Sequence, residues 1–374
     1  MPANYQVWIT NPLGIRLALV EGFAQLNYSR AVNGVGGLNV AVPFGYLPYI
    51  AAENRIEVER TLDGRNYYLD LETAWTIRDY SLTLNEQGEY MLVVKNAQDG
   101  NNLLASCYIA YHSGTSQSQK TGYADDMMKV IVRENKASTA NDYTGTATTR
   151  GLPAERFSVQ ANLSAGPVIS KSFAWKQVLE TLQEIANESF TKGTYLAFDT
   201  VYTGNGKFEF RTYTAQRGVD HRFPGGAAPI ILAPELNNLG SVELNYDYSQ
   251  EANYVYCGGQ GEGANRVIKT SADQTRIIIS PFNRRELFID ARNSDSPASI
   301  QGEADAGVRA GRPRITFNGV ILETATTRYG KEYSLGDIVT AQFQGLEIDC
   351  RIDAISISVE EKKETITAKL QSVL

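Results

Sequence analysis

The stretch from Lys331 to Leu370 constrains this chain most, because its hydrophobic alternation changes phase in mid-strand. Ile348, Cys350 and Ile352 alternate with Glu347, Asp349, Arg351 and Asp353, and then Ile355, Ile357 and Val359 carry the apolar face. Strand side chains repeat every second residue, so a one-residue slip would turn the apolar set to solvent unless a bulge absorbs it. A bulge or sharp bend is therefore predicted near Asp353 and Ala354. Glu360 to Glu364 read as a polar turn, with Ile366, Ala368 and Leu370 returning antiparallel. Three strands with tight joins form a small closed β module of the kind that turns its corners by bulges.

With 374 residues, two or three domains are expected. The 32 glycines and 21 tyrosines suit a strand-rich, turn-rich chain. A net charge of −7 disfavours a nucleic-acid grip, which needs a surplus of Lys and Arg, but suits a wall that nucleic acid slides past. Cys107, Cys257 and Cys350 are odd in number and far apart, so each reads as a buried small hydrophobe rather than part of a disulfide or metal knuckle. The opening Met-Pro-Ala-Asn-Tyr is not a secretion signal and no run reaches the length of a membrane span, so synthesis in a cytoplasm is expected.

Along the chain, residues 1–97 read as short strands: 15–20, 23–28, 38–42, 55–60, 67–71, 75–84 and 90–95. In Arg55 to Arg60, Ile56 and Val58 face inward while Arg55, Glu57, Glu59 and Arg60 are expected outside. Asp63-Gly64 is a hairpin signal. Residues 98–238 read as an α+β middle domain. Leu103, Leu104, Cys107 and Ala110 suggest a helical face, 113–121 a polar loop, and 136–167 a surface excursion. Ala124 to Asn135 reads as a helix with acids in its first turn, and Ser172 to Asn187 as a helix capped by Ser172 with Trp175 on its buried face. A hairpin follows over 195–213. Residues 239–374 return to strands, including 242–248, 253–257, 266–269, 276–279, 285–290 and 314–322, with one helix over 297–311 started by Pro297 and stopped by Gly311.

Few groups are placed for chemistry. The run Gly258 to Gly263 follows a strand but precedes another strand, and Glu262 would repel phosphate, so a hairpin tip is expected. Asp125-Asp126, Glu180 with Glu184, and Glu360-Glu361 are paired carboxylates, each read as charged surface rather than a glycosidase pair. His112 and His221 lack zinc-ligand spacing, Asp290 to Asp295 lacks an EF-hand's Gly and Glu, and no serine elbow is present. Arg309, Arg312 and Arg314 read as a loop that pairs across a subunit interface. Trp8, Trp75 and Trp175 read as core. No catalytic, cofactor or metal residue is assigned.

Three stretches carry a resemblance: Ala124 to Asn135; Asn253-Tyr254-Val255-Tyr256-Cys257 with the glycine run and Arg266; and Tyr333-Ser334-Leu335-Gly336-Asp337-Ile338-Val339. From near residue 5 to the end, the chain resembles the tail hub proteins of long-tailed bacteriophages (siphoviruses). These are related to the baseplate hub of contractile tails and to the N-terminal region of tail-associated proteins. The resemblance implies an α+β, mainly β chain: tail-tube-like β-barrel domains over 1–97 and 239–374 flanking the α+β domain 98–238. It implies a homotrimer at the distal end of the tail tube. Two similar barrels per chain would present six positions, adapting sixfold symmetry to threefold through contacts that close a ring. The implied partners are the distal tail protein, the tail tube, the tape measure protein and tip or fibre proteins, with DNA passing through the channel without specific binding. Relatives extend into peptidase, lysozyme-like or receptor-binding regions. With Leu374 directly after the closing module, no lytic activity is expected. The alternative is an adhesin that binds or degrades cell-wall or capsular polysaccharide.

Overall fold

The computed structural model describes residues 4–84, 88–110, 115–140, 150–222, 227–292, 296–360 and 363–373. The chain is mainly β, as expected, and its N- and C-terminal strands share one sheet.

The N-terminal part contributes β1 (Asn4–Thr10), β2 (Arg16–Val20), β3 (Gln25–Ala31), β4 (Gly37–Pro43), β5 (Arg55–Thr61), β6 (Tyr68–Thr76), β7 (Asp79–Leu84) and β8 (Tyr90–Gln98). Asp63 turns the β5–β6 link by accepting the amides of Arg65 and Asn66, both at 2.8 Å, while Gly64 supplies φ +73°. The expected outer face of β5 is a correction. Glu57 and Arg60 are buried, because other parts of the chain cover that face and the β5–β6 register slips between Glu57 and Glu59.

The middle part begins with one turn of helix, α1 (Asn102–Ala105), so the longer helical face from Leu103 to Ala110 does not form. Beyond it the backbone extends to bond Lys176 and Val178 (Ile109 N–H to Lys176 O 2.8 Å, Val178 N–H to Cys107 O 2.8 Å). β9 (Ser118–Tyr123) occupies the end of the expected polar loop; residues 111–114 lie outside the described residues. α2 (Ala124–Asn135) stands at its expected bounds. Within the expected surface excursion, β10 (Phe157–Val159) buries Phe157, and 141–149 lie outside the described residues. The second helix is shifted. Residues Val168–Phe173 form β11, paired with β9, and α3 spans Val178–Thr191. Ile169 and Phe173 are buried in strand phase, and Trp175 sits at φ +51°, 50% exposed, outside the helix it was expected to anchor. β12 (Leu196–Gly204) and β13 (Lys207–Thr214) form the hairpin, with β10 parallel to β13. Met128, Ile131, Leu182, Ile185, Phe198 and Phe210 fill this second core.

After β14 (Ile231–Leu232) and β15 (Leu239–Asp247) comes a unit with its own core. β16 (Tyr254–Gly258) pairs antiparallel with β17 (Ile268–Ala272). The expected strand 276–279 does not form: α4 (Gln274–Ile277), capped by Asp273, takes 276–277 and a turn takes 278–279. β18 (Glu286–Asp290) runs parallel to β16, and α5 (Pro297–Ala310) covers the three strands. Val255 and Cys257 pack on Ile300, Ala304 and Val308. A Cβ on Gly307 would lie 2.5 Å from Ile289 Cδ1 and 3.1 Å from Val255 Cγ1, so any larger residue there would have to push those side chains aside.

The chain then returns to the large sheet through β19 (Arg314–Ile321), β20 (Ile338–Phe343), β21 (Leu346–Glu360) and β22 (Lys363–Ser372). The predicted bulge is present: the β21–β22 register shifts between Ile352 and Ala354. It also marks a change of partner. Residues 346–351 of β21 pair with β20, and residues 354–360 pair with β3. Val32 N–H donates to Asp353 O at 2.9 Å beside the bulge. One strand thereby joins the two ends of the chain, and one apolar core runs from Val7 to Leu370.

Candidate functional site

Strand periodicity explains where the apolar side chains go, but not the charges buried among them. Arg30 on β3 is 1% exposed. Its Nε donates to Asp99 Oδ2 at 3.0 Å, Nη1 to Leu71 O at 2.5 Å, and Nη2 to Thr200 O at 3.1 Å and to Asp199. Arg217 grips the other oxygen of Asp199 (Nε to Oδ2 2.9 Å), and also reaches Glu72 at 2.8 Å and Leu335 O at 3.0 Å. Leu71 and Glu72 adopt φ +51° and +50°, a costly conformation for such residues, which turns the Leu71 carbonyl to Arg30. Burial raises the Asp99 carboxyl above its ordinary range, and the Arg30 charge opposes that rise. This knot ties the N-terminal strands, the β12 strand and the loop before β20.

A second knot surrounds Arg60 on β5. Its Nη1 donates to Tyr329 O at 2.7 Å and Tyr68 Oη at 3.0 Å; Nη2 reaches Glu323 and Glu364, both at 3.1 Å. Tyr5 Oη also donates to Glu364. Nearby, buried Asp70 accepts from Tyr28 Oη at 2.5 Å and Tyr329 Oη at 2.8 Å. Burial raises its carboxyl, and the two phenols with Arg60 hold it down in part. Partners over 250 residues apart in sequence are thereby locked across the two ends of the chain.

Arg351 on β21 differs. It is 6% exposed, its guanidinium carbon sits 3.4 Å from the centre of the Tyr195 ring, and its Nε has no hydrogen-bond partner.

The surface offers two kinds of face. Across the seam, a row of small uncharged residues runs at right angles to the strands: Asn39 opposite Asn27, Asn27 opposite Ser358, Ser358 opposite Thr365. The next row is Gly37, Ser29, Ser356 and Thr367. In contrast, β7 projects Tyr80, Leu82 and Leu84 on a strand that, among the described residues, pairs only with β8. The turn after α4 exposes Ile278 at 79% and Phe282 at 86%.

The residues singled out in the sequence are not brought together. The glycine run is the tip of the β16–β17 hairpin, as expected, and Arg266 closes it by donating to Gly259 O at 3.0 Å and Gly258 O at 2.9 Å. Glu180 and Glu184 are exposed as expected. Asp125 is not surface: it is fully buried and paired with Lys129 at 2.9 Å, while Asp125 Oδ1 also accepts Ala165 N–H at 2.7 Å. Asp126 receives the amides of Leu163 and Ser164. Glu361 and His112, with residues 293–295, lie outside the described residues. His221 stands 3.5 Å from Asp337. Arg309 donates to Thr191 O at 2.7 Å, which docks α5 on the end of α3. Trp75 is core, whereas Trp8 is half-buried under Arg16. All three cysteines are buried and free. Among the described residues, no cluster of three His, Cys, Asp or Glu could hold a metal, and no helix is long and apolar enough to cross a membrane.

The family profile described as "Siphovirus ReqiPepy6 Gp37-like protein" matches residues 6–370. No curated protein matches the sequence. Among solved structures, the 43 kDa tail protein of prophage MuSo2 from Shewanella oneidensis aligns with a TM-score of 0.61 at 12% identity, covering 98% of each chain. The tail protein from Neisseria meningitidis MC58 aligns at 0.60 and 13% identity, covering 98% of this chain and 96% of that one. The prophage tail protein gp18 from Listeria monocytogenes EGD-e aligns at 0.57 and 9% identity, covering 98% and 94%. At such identities the likeness is one of fold.

Proposed function

The chain belongs to the siphovirus ReqiPepy6 Gp37-like family, and from that premise we propose that it is a structural hub of a bacteriophage tail. In this reading it forms a ring, a homotrimer, at the distal end of the tail tube. There it adapts a sixfold tube to a threefold tip and lines the passage for DNA. Its three-part division at 97 and 238, with tube-like regions at either end, is part of the proposal. So are its neighbours: the tube, the distal tail protein, the tape measure protein and the tip or fibre proteins.

The observation that carries the reading is the β3–β21 seam. It fixes the two strand-rich ends of one polypeptide side by side, so that three copies would offer six such regions around an axis. The rows of Asn, Ser and Thr across that seam support its use as a wall for DNA. The two rows themselves carry no charge, with Lys363 and Lys369 only at their margins, and neutral hydroxyls and amides exchange contacts with water at little cost. The apolar β7 edge and the turn at Phe282 suit contacts with other tail proteins.

Light scattering of the purified protein, with class averages from electron microscopy, tests this. A threefold ring with an open axis is expected. A monomer at high concentration would overturn it.

A further inference from the structure

Between α3 and the β21–β22 hairpin lies a cleft of ≈ 330 Å³. Arg351 and Tyr195 form one wall, Asp353 stands beside them, and Asn187, Phe190 and Gln371 line the rest. The floor is held rigid from behind. Asn33, at φ +58°, accepts Phe198 N–H at 2.7 Å on its side chain, and its carbonyl accepts Gln183 Nε2 at 2.8 Å.

Arg351 is the unusual member. No carboxylate among the described residues lies within 4.0 Å of its guanidinium. Its Nε is buried without an acceptor, its bond to Ala215 O is a long 3.4 Å, and its other polar neighbour is the neutral Tyr195 phenol. The charged groups facing it are Asp353, outside pairing range, and Arg222, which is already paired with Asp220 at 2.6 Å. Burial lowers the hold of Arg351 on its proton, and Tyr195 and Asp353 oppose that only in part. A buried guanidinium is strongly disfavoured unless an anion meets it. Stacking on Tyr195 holds the guanidinium in place, and a guanidinium is the group that suits a planar, two-oxygen partner.

We propose that this cleft is a receptor for a carboxylate carried by a neighbouring protein of the tail, an acidic side chain or a chain terminus that docks edge-on against Arg351. The neighbouring amides of Asn187 and Gln371 supply donors for the carboxylate or the peptide bearing it, and Phe190 covers its apolar stem. That the cleft takes a carboxylate follows from its own chemistry. That the carboxylate comes from a tail protein rests on the function proposed above.

The first test uses the full chain and N-acetyl-aspartate as probe, with chloride at equal ionic strength as control. A rise in Tm of about 2–5 °C at saturating probe is expected. It should vanish in Arg351→Met and grow in Asp353→Asn, which removes the competing acid. Without probe, Arg351→Met should melt no lower than the parent, since a stranded cation is removed; a purely structural arginine would instead leave a less stable protein. No shift in the parent, an equal shift with chloride, or an undiminished shift in Arg351→Met would overturn the receptor. The second test concerns the source. Tails assembled with folded Arg351→Met chain should form at least tenfold fewer particles. Parental yields alongside intact probe binding would overturn the tail-protein source while leaving the hub reading untouched.

Discussion

Arg30 and Arg351 lie on adjacent, hydrogen-bonded strands, and both are buried, yet their surroundings are opposite. Arg30 meets two carboxylates and two carbonyls drawn from three parts of the chain. Arg351 meets an aromatic face and one distant carbonyl. Burying an ion is costly in either place, so the comparison separates two uses of the same residue. Where acids from distant segments converge, the arginine fixes how those segments sit together. Where they do not, the fold retains a site whose partner must come from outside.

Breaking the satisfied knot should have the largest effect. Arg30→Met leaves Asp99 and Asp199 facing each other in the interior, so a loss of roughly 3–5 kcal/mol is expected in denaturant unfolding. Glu364→Gln should cost about 2 kcal/mol, because Arg60 keeps Glu323 but loses its two-oxygen partner. Gly36→Ala places a Cβ 2.4 Å from Ser29 O and 3.0 Å from Asp99 Oδ2, beside the Arg30 knot. A loss of about 1–3 kcal/mol is expected, measured as a lower denaturant midpoint with unchanged slope.

A pair nearer the surface should matter less and depend on pH. Burial pushes the Glu188 carboxyl up, but hydrogen bonds from Lys171 and Lys192 outweigh it and hold the group below its ordinary 4.5. Its folded value is depressed, so its contribution is complete above 4.5 and lost as pH falls through the folded value. Glu188→Gln should therefore cost under about 1 kcal/mol at neutral pH, and the gap from the parent should close on acid titration. Arg351→Met completes the series, with a stability change near zero or favourable in the absence of any ligand. If it proved as damaging as Arg30→Met, the distinction between the two arginines would collapse.

Much of the architecture could be read in advance wherever one element declares itself by local pattern. α2 is marked by its charge polarity and periodicity and α5 by its starting proline and closing glycine, and both stand at or within one residue of their expected bounds. The β21 bulge followed from a phase change that only an extra residue could absorb. Reading failed where a second element overrode the local pattern. Residues 172–175 looked like the first turn of a helix, but β9 captured 168–173 as a strand. Asp125 looked like a favourable charge at a helix start, and the middle core enclosed it with Lys129.

The amino-acid order by itself therefore determined the strand-rich class, the turns, two of the helices and the place where β21 must bulge, because each depends on spacing along a single segment. Only the tertiary structure decided that Arg30, Arg60 and Arg351 lie inside, and that acids reach the first two but not the third. Alternation marks one face of a strand as polar. Whether that face meets water, a counter-charge or an empty cleft depends on segments hundreds of residues away.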